Sequence, residues 1–154
     1  MNLIRTTPAH GGYQSLVTAL DRDLAVTDQD DHAFYSQFNK SDKIPYVVVV
    51  EENGQAIACG ALKPFDDRSL EVKRMYTAPG ARGRGIAVSV LRALEAWARE
   101  LGYHRLVLET GKRQTAALRL YDKYGFDRMP INYGPYRDME NSVCMEKIVD
   151  PGPV

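Results

Sequence analysis

The most regular pattern in the chain lies between Gly85 and Leu101. Ala87, Val90, Leu91, Leu94, Trp97, Ala98 and Leu101 recur at i, i+3, i+4, i+7, i+10, i+11 and i+14, while Arg92, Glu95, Arg99 and Glu100 lie mainly off that stripe. This is the period of an amphipathic helix laid on a core. Gly102 stands where a helix-ending glycine belongs. A weaker helical spacing, Leu16, Val17, Leu20 and Leu24, predicts a helix over Tyr13 to Val26. The polar stretch Thr27 to Asp31 reads as a loop, and Ala33 to Phe38 as a short helical segment. After Pro45 the period changes. Tyr46 to Glu51 is aromatic and β-branched, Asn53-Gly54 is a hairpin-turn pair, and Gln55 to Lys63 returns as the partner strand. Asp66-Asp67-Arg68 supplies a second turn before a third strand over Leu70 to Thr77. Arg105 to Glu109 reads as a short buried strand, Thr115 to Tyr124 as a helix stopped by Gly125, and Met1 to Thr6 and Ser142 to Lys147 as outer strands. The expected fold is a single α/β domain, a mixed sheet with helices packed on it in an α+β arrangement.

Composition narrows what such a domain does. With 154 residues, 44% hydrophobic and 26% charged, the chain is long enough for one self-sufficient core without metal or disulfide staples. Twenty basic residues balance twenty acidic ones, so no global field draws it to nucleic acid, and no nucleic-acid partner is expected. The longest purely apolar run, Val47 to Val50, is far too short to cross a bilayer, so no membrane partner is expected. Cys59, Cys144 and the dispersed His10, His32 and His104 have no metal-ligand spacing, and no metal is expected. Solvated histidines and buried cysteines are the ordinary reading. Two free thiols without a signal peptide point to a cytoplasmic setting.

The chemistry concentrates where the third strand meets the long helix: Met75-Tyr76-Thr77-Ala78-Pro79-Gly80-Ala81-Arg82-Gly83-Arg84-Gly85-Ile86-Ala87. Glycines let backbone N–H groups turn toward a ligand, and the first helical N–H groups have no partners within the helix. With the helix dipole and Arg82 and Arg84, such a loop makes a pyrophosphate cradle. On glycines alone, a solvated turn is an equal reading. A dinucleotide fingerprint fits poorly, because Thr77 to Arg82 intervenes between strand and glycines and too few strands follow.

Arg82-Gly83-Arg84-Gly85-Ile86-Ala87 resembles the signature of the GCN5-related N-acetyltransferases (GNAT), in which Arg or Gln is followed by two residues, Gly, one residue, then Gly or Ala. Gln114, Ala117, Tyr121 and Gly125-Phe126 are similar to the family's downstream Asn-x-x-Ala-x-x-x-Tyr…Gly-Phe stretch, with Gln114 in place of the usual Asn. The resemblance spans about Leu70 to Phe126, the expected cofactor-binding core of a single domain over residues 1–154. It implies an antiparallel meander followed by helix, strand, helix, strand, with a splay between strands four and five that holds acetyl-CoA. Backbone groups of Met75, Tyr76 and Thr77 would pair with the pantetheine arm. Arg82 and the amides from Gly83 through Arg84, Gly85, Ile86 and Ala87 to Val88 would hold the pyrophosphate. Gln114 and Ala117 would complete the cofactor wall. A homodimer is an expectation of the same kind.

The resemblance implies transfer of an acetyl group to a primary amine by direct attack. The amine needs a proton acceptor, the carbonyl oxygen a fixed donor near Tyr76, and the departing thiolate a proton. Tyr121 is the expected acid, since a phenol is protonated at neutral pH; a core tyrosine is the bland alternative. Glu71, eleven residues before Arg82, is the expected base, with a surface glutamate paired to Lys73 or Arg74 as its alternative. Strand alternation groups Glu71 with Lys73 and Met75. Glu109 is a second candidate base. For the acceptor, Asp30 to Phe38 and Ile131 to Tyr136 are the expected walls, with His32, Tyr35, Tyr133 and Tyr136 beside Asp30 and Asp31 suiting a small cationic amine. Arg137 or Arg74 would equally hold an amino-acid carboxylate, and Asn132 to Asn141 reads by default as a flexible surface loop. A protein or peptide amine as acceptor, and a silent CoA-binding module, remain open at this level.

Overall fold

The computed structural model describes residues 1–38 and 43–150. Its strands are β1 (Asn2–Thr6), β2 (Tyr46–Glu52), β3 (Gln55–Asp66), β4 (Ser69–Thr77), β5 (Arg105–Gly111), β6 (Asp127–Arg128) and β7 (Ser142–Ile148). Its helices are α1 (Gly11–Asp28), α2 (His32–Ser36), α3 (Ile86–Glu100) and α4 (Thr115–Tyr124). The strands form one sheet in the order β1-β2-β3-β4-β5-β7-β6. All neighbours are antiparallel except β4 and β5, which run parallel.

The valine run of β2 is continuous because both faces of the sheet are covered. Val48 and Val50 join the core under α3, and Val47 and Val49 join the core under α1. On α3, Val90, Leu91, Leu94 and Ala98 have no exposed surface. Burying each leucine there contributes about 1.5–3 kcal/mol. The two layers meet closely at Gly60 in β3, where a Cβ would stand 2.6 Å from the Met75 sulfur and 2.7 Å from Val90 Cγ1. The Asn53-Gly54 turn closes the β2–β3 hairpin with both residues at positive φ, +53° and +77°, as a two-residue turn of this type demands.

Several expectations need correction. Thr27 to Asp31 is not a loop: α1 runs to Asp28, a 3₁₀ turn covers Gln29–Asp31, and α2 follows at once. No proline interrupts the segment, and Thr27 Oγ1 donates back to Asp23 O at 3.0 Å. Strand β3 runs past Lys63 to Asp66, carrying Pro64 at an irregularity in the register, where a missing N–H is tolerated. The two-residue β6, with no period of its own to read, pairs against β7. His10 is not solvated; its Nδ1 accepts from Tyr13 N at 3.1 Å as the cap of α1, and Nε2 lies 3.1 Å from Glu51 Oε1. Cys59 and Cys144 are free and buried, and burial pushes both thiols up to about 12. Among the described residues, no helix is long and apolar enough to cross a membrane, and no group of three or more His, Cys, Asp or Glu is placed to hold a metal.

Candidate active site

Strands β4 and β5 pair only through Ser69–Arg105, Leu70–Leu106 and Glu71–Val107. Beyond Glu71 they diverge, so β4 continues to Thr77 with its edge toward β5 unpaired. A splay inside a sheet leaves backbone donors and acceptors facing an opening, and these require a partner. The opening holds two cavities. A groove of about 610 Å³ runs past Met75, Tyr76, Thr77, Arg82 and Ala87 on one side and Gln114, Ala117 and Tyr121 on the other. A smaller cavity of about 130 Å³ lies behind it, lined by Asp28, Glu71, Lys73, Arg74 and Glu109. Leu20, Leu24, Met75, Gln114, Ala117 and Tyr121 border both. Half of the apolar stripe of α1 thus faces a cavity rather than a core.

Strand β4 is bulged within the site. Cys59 pairs with Tyr76 and Ala61 with Lys73, so Gly60 alone opposes Arg74 and Met75, and Arg74 takes φ +57°. The extra residue inverts the alternation. Arg74 turns to α1, where Nη2 donates to Asp21 Oδ1 at 2.7 Å and to Val17 O at 3.4 Å. Met75, expected on the face of Glu71 and Lys73, instead sends its sulfur against Gly60 beneath α3.

The glycine loop has the geometry of a cradle. Gly83 and Gly85 adopt φ +80° and +74°, and a Cβ on either would meet nothing within 4 Å. Their hydrogens face open space, and the backbone conformation is what requires glycine. No side chain caps α3 at Gly85, which leaves the amides of Ile86, Ala87 and Val88 to other partners. The Ile86 side chain is core, so only its backbone faces the loop. Arg82 Nε donates to Thr77 O at 2.9 Å with its guanidinium 5.5 Å from the Tyr76 ring, and Arg84 forks onto Glu52 at 3.0 and 2.7 Å. Gln114 Nε2 is buried with no hydrogen-bond partner. The unpaired edge of β4, the open cradle and this orphaned donor lie along one groove, and together they fit the pantetheine arm and pyrophosphate of a coenzyme A.

In the smaller cavity, the Tyr121 ring is buried edge-on to Phe126 at 5.7 Å. Burial, with the Glu109 charge adding, holds its hydroxyl well above the usual phenol range, so it stays protonated. Glu71 is 7% exposed and so is not at the surface, while the pair with Lys73 is present at 3.9 Å; it also accepts from Tyr133 Oη at 2.7 Å. Burial pushes Glu109 up to about 7, with Ser142 and Lys73 opposing the rise, and its Oε2 has no partner. Burial likewise raises Asp28 and lowers Lys73 from their ordinary values. Tyr35 lines the cavity with its hydroxyl 2.7 Å from Ser142 Oγ and its ring stacked 6.2 Å from Tyr136.

Other sequence expectations do not enter the cavity wall. His32 opens α2 beside Asp28 with Nδ1 buried and unpartnered, Asp30 and Asp31 form the 3₁₀ turn, and Arg137 lines a separate hollow near Lys112 and Glu140. Asn132 to Asn141 is not a plain surface loop. The Asn132 amide donates to Tyr136 O at 3.1 Å and Ser142 O at 3.0 Å and accepts from Cys144 N at 3.3 Å, which fixes a strap that carries Tyr133 to Glu71. Asp28 is the residue that sequence reading missed. Its signal was available: Leu16, Leu20, Leu24 and Asp28 form a four-residue stripe whose last member is a carboxylate.

Known proteins match this arrangement. The acetyltransferase (GNAT) family matches residues 13–126. An IAA acetyltransferase of Azospirillum brasilense is 34% identical over 151 residues, covering 96% of this chain and 97% of that protein. The uncharacterized N-acetyltransferase YsnE of Bacillus subtilis is 37% identical over 98 residues, 62% of this chain and 64% of that protein. A candidate acyl-CoA N-acyltransferase from Klebsiella pneumoniae superposes with a TM-score of 0.79 at 29% identity, covering 96% and 97% of the two chains. A GNAT acetyltransferase of Elizabethkingia anophelis, crystallised with acetyl-CoA, shares the fold at a TM-score of 0.69 and 20% identity, covering 96% and 97%. The chain therefore belongs to the GNAT family: it is an N-acetyltransferase with acetyl-CoA as its cosubstrate.

Proposed function

We propose that this acetyltransferase modifies the primary amine of a small molecule seated in the cavity of about 130 Å³. The observation that carries this reading is the cavity itself: it is small, brings three carboxylates beside Lys73 and Arg74, and shares the Tyr121 wall with the cofactor groove. Ligand pockets for drug-sized molecules usually exceed about 300 Å³. The β4 backbone at Met75, Tyr76 and Thr77, the amides from Gly83 to Val88, and the Gln114 amide hold acetyl-CoA. When bound there, acetyl-CoA supplies the acetyl group as an activated thioester.

The residues of the chain handle the protons. An amine reaches the site largely as an ammonium ion, and Glu71, Glu109 and Asp28 favour that charge on entry. Glu109 then takes the proton, because its Oε2 is free and a value about 7 matches the task. Glu71, held by Tyr133 and near Lys73, orients the amine. As the nitrogen–carbon bond forms and the carbon–sulfur bond breaks, Tyr121, buried and protonated, donates to the departing sulfur, and the proton that the nitrogen sheds on becoming an amide restores the phenol.

Release of free thiol from acetyl-CoA tests this, with a panel of small primary amines set against a peptide carrying a free N-terminus. Turnover of the small amines is expected. Turnover of the peptide alone overturns the reading.

A further inference from the structure

The small cavity carries both signs of charge in its lining. Asp28 of α1, Glu71 of β4 and Glu109 of β5 bring carboxylates, while Lys73 and Arg74 bring two cations from consecutive positions of β4. A regular strand sends consecutive side chains to opposite faces. Here the bulge, with Arg74 at φ +57°, keeps both on the cavity side. A non-glycine residue in that conformation is uncommon, and such outliers gather at functional sites.

Arg74 is 5% exposed and only part of its guanidinium is used. Nη2 is taken by Asp21 and Val17, whereas Nε and Nη1 are buried without a hydrogen-bond partner. Lys73 Nζ is ion-paired with Glu71 Oε1 at 3.9 Å, too long for a hydrogen bond between them. Buried donors left without a partner are costly, and the oxygens of a carboxylate suit the two that Arg74 has free. On β5, Glu109 Oε2 is an unpaired acceptor. A simple monoamine answers Glu109 and leaves the Arg74 donors orphaned. A diamine sets a second cation against Lys73 and Arg74.

We propose that the acceptor is a small aminocarboxylate, its carboxylate seated against Lys73 and Arg74 and its amine against Glu109. This rests on the small-amine reading above and names the substrate class within it. A cavity of about 130 Å³ suits a molecule of amino-acid dimensions.

The test uses the full chain, acetyl-CoA and matched acceptors: L-alanine against ethylamine, and 4-aminobutanoate against 4-aminobutanol and 1,4-diaminobutane. The carboxylate-bearing member of a set is expected to have a kcat/KM roughly ten- to a hundredfold higher, the worth of charged hydrogen bonds. Arg74→Gln is expected to collapse that ratio toward one, chiefly through KM of the aminocarboxylate, and Arg74→Lys to restore part of it. Acetyl-CoA affinity measured on each variant reports that the fold is intact. If Arg74→Gln does not fold, the acceptor sets on the unaltered chain decide alone. Equal or better turnover of the partners that lack a carboxylate overturns the aminocarboxylate and leaves the small-amine reading standing. Turnover of a peptide N-terminus with none of the small amines overturns both.

Discussion

The groove proposed for the cofactor and the smaller cavity proposed for the acceptor share a wall at Tyr121 and Met75, yet they are built in opposite ways. The groove presents mostly backbone: the free edge of β4, amides of the loop and of the first turn of α3, and glycines held at φ +80° and +74°. Those parts come from one continuous stretch of chain. The cavity presents side chains from α1, α2, β4 and β5, with a strap before β7 that brings Tyr133 to Glu71. A backbone site tolerates side-chain change and demands a local conformation, whereas a side-chain site depends on distant segments meeting. The first is therefore written locally in the sequence, and the second is not.

Substitutions on either side of the shared wall sharpen this contrast. Tyr121→Phe removes one hydroxyl from the wall itself and is expected to lower kcat by about 10²–10⁴ while acetyl-CoA affinity by calorimetry stays put. An unchanged kcat makes Tyr121 packing only. Replacing Gly83 and Gly85 by valine strains two left-handed positions and is expected to weaken acetyl-CoA binding on the order of a hundredfold or more. A groove that kept its affinity would not be a backbone site.

On the cavity side, the pH profile separates the two glutamates. With Glu109 at about 7 and active only when ionised, kcat/KM is expected to fall below that pH. Glu109→Gln abolishes the limb. Glu71→Gln moves its midpoint slightly down, since the Glu71 charge helps raise Glu109. The same group bears on stability. Its carboxyl titrates about 7 in the folded chain against 4.5 for the ordinary group, so the folded state holds the proton longer. Its contribution is fully present below about 4.5 and is lost as pH rises through 7. Glu109→Gln is accordingly expected to be more stable than the unaltered chain at pH 8, by up to about 3 kcal/mol, in denaturant titrations. The smallest effect belongs to the groove's rim. Glu52→Gln frees the exposed Arg84 from its fork and is expected to tighten acetyl-CoA binding by a small factor that fades in high salt.

How much was legible follows the same division. The α3 stripe, the β2–β3 hairpin and the loop from Arg82 to Ala87 each declare themselves within a short window, and the folded chain has them where periodicity and turn chemistry put them. The boundary after α1 was misread because Thr27 to Asp31 is polar, and polarity there marks a helix end lining a cavity rather than a loop. The side of Met75 was misread because one extra residue at Arg74 inverts every position after it, and a bulge built without glycine leaves no mark in composition. Ser142, which meets Tyr35 at 2.7 Å, lies 107 residues away along the chain, and no local pattern announces such a pair.

The divergence of β4 from β5 after Glu71 has a thermodynamic consequence. A sheet interrupted at its centre lacks ladder bonds that, on the proposed reading, the coenzyme would supply, and ligation would then be linked to folding. Acetyl-CoA at a hundredfold over its dissociation constant adds about 2.7 kcal/mol to the unfolding free energy. The melting temperature then rises with the logarithm of acetyl-CoA concentration, and amide exchange slows first at Met75 to Thr77. Limited proteolysis is therefore expected to slow as acetyl-CoA is added, because cleavage of the opened chain follows the population that ligation draws down.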